Sequence, residues 1–465
     1  MDKTIDLEDF FQLVSSGSVD ELKEIVIDIE PEEAIKIANT VNNNGETPLI
    51  VAIQGNHYKM IEYLVKELKA NIYQFGRFIW KECDYAEVPP IFAAILCDML
   101  DGHFIIDFLI DQDVIKNVSP GLVDLILAGP STPVRKTDML KLLGAAYILN
   151  ELEFDFPDRP MEFGLQFWTK ASIAVVDRST IPPMKKEEHL AELAQKVFGN
   201  SAEFTTEEEL EEIYDHPRSA FLLQTEALLI IQRVMSELHP DPHPFFLHCL
   251  FDCGDKWFLE EDLYFRTLDV VMMVLKELQA TKWENAINYE WPFAIFEGAY
   301  LLLDCCFLEE KRNLPQNSYS ILPFPTVTEA FQCLSDFHTR LLKLNDVKLS
   351  QLLKLTIQHN ASLIVHLPKL FKLEETDGEI ERWLYRYTKD IKGHPGATTL
   401  LHEVCRLPLR ENDAILLLLE TGSDADATDE NGGTPLHVLS MVPYEKPSNY
   451  CWTLDAIWIG PTYEA

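Results

Sequence analysis

The side chains best suited to chemistry are histidines and cysteines. His243, His248, Cys249 and Cys253 form the tightest such group in the chain. A structural zinc ion would take four nitrogen or sulfur ligands in a tetrahedron. Cys249 and Cys253 stand four residues apart and would share one helix face. The surrounding run Phe-Phe-Leu-His-Cys-Leu-Phe-Asp-Cys253 is apolar, however, and reads as a buried helix, where free cysteines are common. The group is therefore read as core, with no metal. Cys305 and Cys306 would point to different sides of a helix and are also read as core. His402 and His437 have the side chain of a general base, but each follows a threonine by three residues, a spacing with a structural use. The chain contains no Gly-rich phosphate loop, no G-x-S-x-G elbow and no H-E-x-x-H pair. No catalytic residue and no cofactor are expected. The acidic run Glu207 to Glu212 reads as a solvated helix face, with a site for a basic partner as the lesser alternative.

Composition narrows the class. The 465 residues are too many for one ordinary core, so several domains or a solenoid are expected. Hydrophobic residues make up 47%, enough for a well-buried interior. The 76 Asp and Glu against 39 Lys and Arg leave a formal charge of −37. Such a surface repels phosphate backbones and anionic lipid, which disfavours nucleic acid and membrane as partners. A basic protein surface is the better electrostatic match. The first residues show no basic segment followed by an apolar one, and no apolar run reaches the ~20 residues of a membrane span. Nine scattered cysteines fit a reducing compartment. A cytoplasmic or nuclear protein is expected.

The elements are helical almost throughout. Apolar residues recur at three and four, as in Ile61, Leu64, Val65 and Leu68, and alternating strands are not evident. Thr205 and Glu208 have capping-box spacing, and Glu260 to Thr281 reads as one long helix. Internal repeats decide the architecture. Gly432-Gly-Thr434-Pro435-Leu436-His437 has the form of an ankyrin opening. Glycine supplies the turn, threonine caps the helix, proline suits its first position, and leucine fills the core. The histidine ring bonds the threonine and nearby backbone. Thr399-Leu-Leu-His402 has the same form 35 residues earlier, close to the ankyrin period of about 33, and a second helix over 413–421 joins the two.

The N-terminal end repeats this pattern. Thr47, Pro48 and Leu49 open a unit whose second helix is expected over 58–68, and Pro89-Pro90 opens another. The offset between these openings is 42 residues, so an enlarged hairpin is expected between Asn71 and Val88. Leu7 to Ile29 reads as a capping helix pair, which a solenoid end needs. The expected organisation is cap helices and ankyrin repeats over 1–115, a Pro-containing linker over 116–137, a tetratricopeptide-like helical region over 138–388, ankyrin repeats over 389–446, and a tail over 447–465. The fold class is all-α, with ankyrin solenoid blocks flanking the helical repeat region.

Several segments together resemble the feminization (Fem) family of ankyrin proteins, substrate receptors of a cullin-type ubiquitin ligase. They are the hairpin closed by Pro89-Pro90, Lys141-Leu-Leu-Gly-Ala145, Gly164-Leu-Gln-Phe-Trp168, and Glu226-Ala-Leu-Leu-Ile-Ile-Gln-Arg233 followed by His239-Pro-Asp. The resemblance implies an adaptor that holds C-terminal ends of target proteins for ubiquitination and proteasomal degradation, with cullin–Elongin subunits as partners. It departs from the family in three ways. Several repeats are missing between Asp113 and Thr137, and no Leu-x-x-x-Cys box follows the last repeat, so Elongin capture is expected to be weak or absent. The family's Phe-Asp-Gly segment in the hairpin aligns with Trp80, Lys81 and Glu82, placing lysine where the family has aspartate; Glu82 or Asp84 is the substitute acid if the register differs. The alternative is an ankyrin scaffold without ligase coupling.

Overall fold

The computed structural model describes residues 6–80, 83–97, 109, 119–128, 132–149, 159–173, 188–198, 203–204, 206–238, 244–259, 264–281, 290–313, 322, 324–344, 349–371, 378–391, 398–407, 412–429 and 431–441. The chain divides into two compact units, Met1–Ala299 and Tyr300–Ala465. The described residues are all-α except for one two-stranded hairpin.

The first unit opens with α1 (Leu7–Ser16), α2 (Val19–Val26), α3 (Pro31–Ala38), α4 (Pro48–Gln54) and α5 (Tyr58–Lys66). Local chemistry sets their starts. The Asp6 carboxylate accepts the Glu8 N–H at 3.0 Å, and Glu8 and Asp9 place negative charge in the first turn of α1. Thr47 caps α4 by accepting the Ile50 N–H at 3.2 Å, with Pro48 at the first position. Helix α5 buries Met60, Ile61, Leu64 and Val65 as one stripe and stops at Lys66, two residues short of expectation.

The enlarged hairpin contains real strands, which the sequence did not display. Strand β1 (Gly76–Trp80) pairs antiparallel with β2 (Cys83–Val88), in the register Phe78↔Tyr85, Ile79↔Asp84 and Trp80↔Cys83. Phe78 is fully buried while neighbouring Ile79 is 45% exposed, the two-sided alternation of a strand. Helix α6 (Pro90–Leu96) follows directly.

The rest of the first unit contains α7 (Ser119–Ala128), α8 (Pro133–Leu149), α9 (Arg159–Ile173), α10 (Glu188–Phe198), α11 (Glu207–Tyr214), α12 (Ser219–Leu238), α13 (Pro244–Leu259) and α14 (Tyr264–Ala280). Helices α7 and α8 begin within the stretch expected as a linker. Pro120 and Pro133 occupy their first turns, where a missing N–H loses no bond. Pro130 lies outside the described residues. The capping box of α11 is Thr206 with Glu209, one residue beyond the expected pair, and Thr205 is not among the described residues. The long helix expected from Glu260 is α14, which starts at Tyr264.

Helix α8 is the centre of this half. Every residue from Thr137 to Ile148 is buried, so it carries no amphipathic stripe. Its close neighbour is α9, and two glycines allow the approach. A Cβ on Gly144 would stand 2.2 Å from Trp168 Cδ1, and one on Gly164 2.8 Å from the Gly144 carbonyl oxygen.

The boundary between the units falls inside α15 (Glu290–Asn313). The second unit continues with α16 (Phe324–Leu344), α17 (Ser350–Ile364), α18 (Leu367–Leu370), α19 (Glu379–Ile391), α20 (Leu400–Arg406), α21 (Asn412–Glu420) and α22 (Pro435–Met441). Its core joins Phe331 to Trp383 at 5.0 Å between ring centroids. The Tyr387 hydroxyl lies buried between His338 Nδ1 and the Asn360 amide, each at 2.7 Å. Among the described residues no helix is long and apolar enough to cross a membrane.

Candidate partner-binding site

The hairpin is fastened to the repeat that Thr47 opens. The Arg77 N–H donates to the Gly45 carbonyl at 2.8 Å, and the Gln54 amide donates to the Ile79 carbonyl at 3.2 Å. Gly76 lies against the opening itself, since a Cβ there would stand 2.8 Å from Ile50 Cδ1 and 3.1 Å from the Thr47 nitrogen. The outer part of the hairpin therefore stands on a fixed base. Of the expected partner-binding residues, Trp80 ends β1 and Asp84 lies in β2 opposite Ile79. Lys81 and Glu82 fall between the strands in sequence and lie outside the described residues.

The three openings are built alike but covered differently. Thr399 starts α20 through a reciprocal pair: its hydroxyl accepts the His402 N–H at 3.4 Å, and His402 Nδ1 accepts the Thr399 N–H at 3.3 Å. His402 Nε2 then donates to the Gly433 carbonyl at 3.0 Å, which fixes the tautomer and ties one repeat to the next. Both histidines expected to be structural make the threonine contact, at 2.8 Å for Thr399–His402 and 2.8 Å for Thr434–His437. The leucines differ. Leu49 and Leu401 are buried, as the expectation of a core leucine requires, but Leu436 is 71% exposed. Helices α1 and α6 pack on α4, and α17 packs on α20. The residues that follow α22 in the chain lie outside the described ones, and Pro435 and Val438 carry its burial instead.

A second feature is not evident as a site in the sequence, although Lys141, Trp168, Glu226 and Arg233 lie in segments that carry the resemblance. Lys141 on α8 is buried and donates to Glu203 Oε1 and to the Phe204 carbonyl, both at 2.7 Å. Arg233 on α12 reaches Glu203 Oε2 at 2.6 Å and Asp138 Oδ1 at 3.0 Å. The Phe204 N–H donates to Glu226 Oε2 at 3.2 Å, and Trp168 Nε1 donates to the Lys141 carbonyl at 2.9 Å. Burial opposes ionisation of Glu203, but the bonds and charges of Arg233 and Lys141 outweigh it and hold its pKa at about 2. Burial pushes Glu226 the other way, up to about 7. The Lys-Leu-Leu-Gly-Ala, Gly-Leu-Gln-Phe-Trp and Glu-to-Arg segments of the resemblance thus meet at one buried junction.

Of the histidine and cysteine group, His248, Cys249 and Cys253 lie on α13. His248 lies 3.4 Å from Asp252 on its own helix, Cys249 and Cys253 are buried, and His243 lies outside the described residues. Burial raises the Cys253 thiol to about 12. Among the described residues no three His, Cys, Asp or Glu groups come together as a metal site. In the acidic run only Leu210 is buried, and Glu207, Glu211 and Asp215 edge an open cleft floored by Leu165 and Leu210.

The family described as "Ankyrin repeats (many copies)" matches residues 10–65, from α1 through most of α5. Protein fem-1 homolog C of Danio rerio is 24% identical over 348 residues, which cover 68% of this chain and 50% of that protein. The chain spans about half the length of this curated relative. It is an ankyrin-repeat protein with distant similarity to fem-1 homolog C.

Proposed function

We propose that the chain is a non-catalytic adaptor that grips the C-terminal ends of target proteins at the hairpin over Gly76–Val88. The observation that carries this reading is the hairpin's anchorage. Its base is hydrogen-bonded and close-packed onto the Thr47 opening, so its far end is presented on a rigid support. Ankyrin arrays bind partners on extended concave surfaces of this kind. The resemblance to the Fem family implies a ligase context, in which the chain would hold targets for ubiquitination by cullin–Elongin subunits, and the distant similarity to fem-1 homolog C supports that reading.

The test is affinity purification of the full chain from its own cells, beside a Trp80→Ala, Lys81→Ala, Glu82→Ala, Asp84→Ala variant. The expected result is loss of the retained targets in the variant. Unchanged retention contradicts the hairpin as the site. Elongin and cullin subunits accompanying the unmodified chain make it a ligase receptor; targets without them make it a scaffold free of ligase coupling.

A further inference from the structure

We propose that Glu226 makes the junction of α8, α11 and α12 proton-sensitive, a latch closed while its carboxyl is protonated and loosened when it ionises. The geometry leaves one acid too many. Helix α8 contributes Asp138 and Lys141, the segment before α11 contributes Glu203, and α12 contributes Arg233 and Glu226. Both cations are held by Glu203, and Arg233 also by Asp138. Glu226 is 3% exposed, and its carboxylate takes one backbone N–H, that of Phe204. The charges acting on it are Glu203, Glu209 of α11 and Lys141, two repelling and one attracting. Ionised, Glu226 leaves a buried group of two cations and three carboxylates. Protonated, it removes one negative charge from beside Glu203.

The sign follows from burial. Glu226 titrates at about 7 in the closed junction against an ordinary 4.5. An acid raised in this way favours the closed form fully below its ordinary pKa and loses that contribution as pH rises through the raised value. Glu203 acts oppositely, and its contribution is lost as pH falls from 4.5 towards about 2. The junction is therefore tightest near pH 4.5, loosens steadily as pH rises towards about 7, and levels off above that. What it releases is the Glu203–Phe204 segment, which leads directly into α11 and the acidic cleft beside α9.

Hydrogen exchange of the full chain, read by mass spectrometry from pH 6 to pH 8 and corrected for intrinsic exchange, tests this. Peptides spanning 203–214 are read against peptides from α21. The expected result is about a tenfold rise in the opening constant of the first set, most of it below pH 7 and levelling off above, with no matching rise in α21. Glu226→Gln, which mimics the protonated acid, should abolish the rise, and Glu209→Gln should keep it. A flat wild-type profile overturns the proposal, as does an unchanged rise in Glu226→Gln. If Glu226→Gln does not fold, the wild-type and Glu209→Gln profiles decide alone.

Discussion

At Thr399 the repeat opens Thr-Leu-Leu-His, and at Thr47 it opens Thr-Pro-Leu-Ile. The first uses its histidine to reach the next repeat, through His402 Nε2 and the Gly433 carbonyl. The second has isoleucine in that place, yet its neighbouring repeats are also joined. There Asn39 does the joining: its amide donates to the Lys69 carbonyl at 3.2 Å, its side-chain oxygen accepts the Asn71 N–H at 2.6 Å, and its own carbonyl accepts the Gln74 amide at 2.9 Å. His57 adds a bond to the Ser15 carbonyl at 2.8 Å. A repeat needs its exposed backbone groups satisfied across the seam, and either a buried ring or an amide can do it. The isoleucine packs against the hairpin instead: a Cβ on Gly76 would stand 2.8 Å from Ile50 Cδ1.

This contrast can be broken by mutation. His402→Ala should have the largest effect, roughly 3 kcal/mol, because it empties a fully buried site and removes the ring's bond to the Gly433 carbonyl, which keeps the Asp429 N–H. Asn39→Ala should cost about 2 kcal/mol, since it leaves the Asn71 N–H and the Lys69 carbonyl without their amide partner. Thr47→Ala should cost about 1 kcal/mol, the usual value of a lost N-cap. His437→Ala should change stability by less than about 0.5 kcal/mol, because this exposed copy bonds its own threonine. Local hydrogen-exchange protection of α20, α5, α4 and α22 reads each effect in turn, avoiding a single unfolding energy for a multi-unit chain. Equal losses for His402→Ala and His437→Ala would show that the bridge to Gly433 contributes nothing.

The same contrast shows what the sequence reveals. Openings at Thr47, Thr399 and Thr434 are legible because threonine, glycine and proline act locally, within four residues. The stripe of α5 is legible because one face is wet. Helix α8 is not read as a stripe, since burial on all sides erases the period. The strands escape notice because β1 has five residues, too few for alternation to stand out. Thr205 and Thr206 are each followed three residues later by glutamate, so local spacing could not choose between them. The junction is a different failure. Lys141 and Glu203 are 62 residues apart and Arg233 another 30 beyond, so no window contains the pairing. Of the candidate site, the enlarged hairpin was legible from the offset between Thr47 and Pro89. Its anchoring through Gln54 and Gly76 was not.

We propose that the hairpin selects the end of a partner chain, with its charge preference set at Lys81. A lysine there favours a carboxylate-bearing end, where an aspartate would pair with arginine. Fluorescence polarisation with matched peptides ending in glutamate and in arginine measures this on the full chain. The expected result is tighter binding of the glutamate peptide, with the preference reversed in Lys81→Asp. Tight binding of the arginine peptide by the unmodified chain, unaltered by Lys81→Asp, would contradict it.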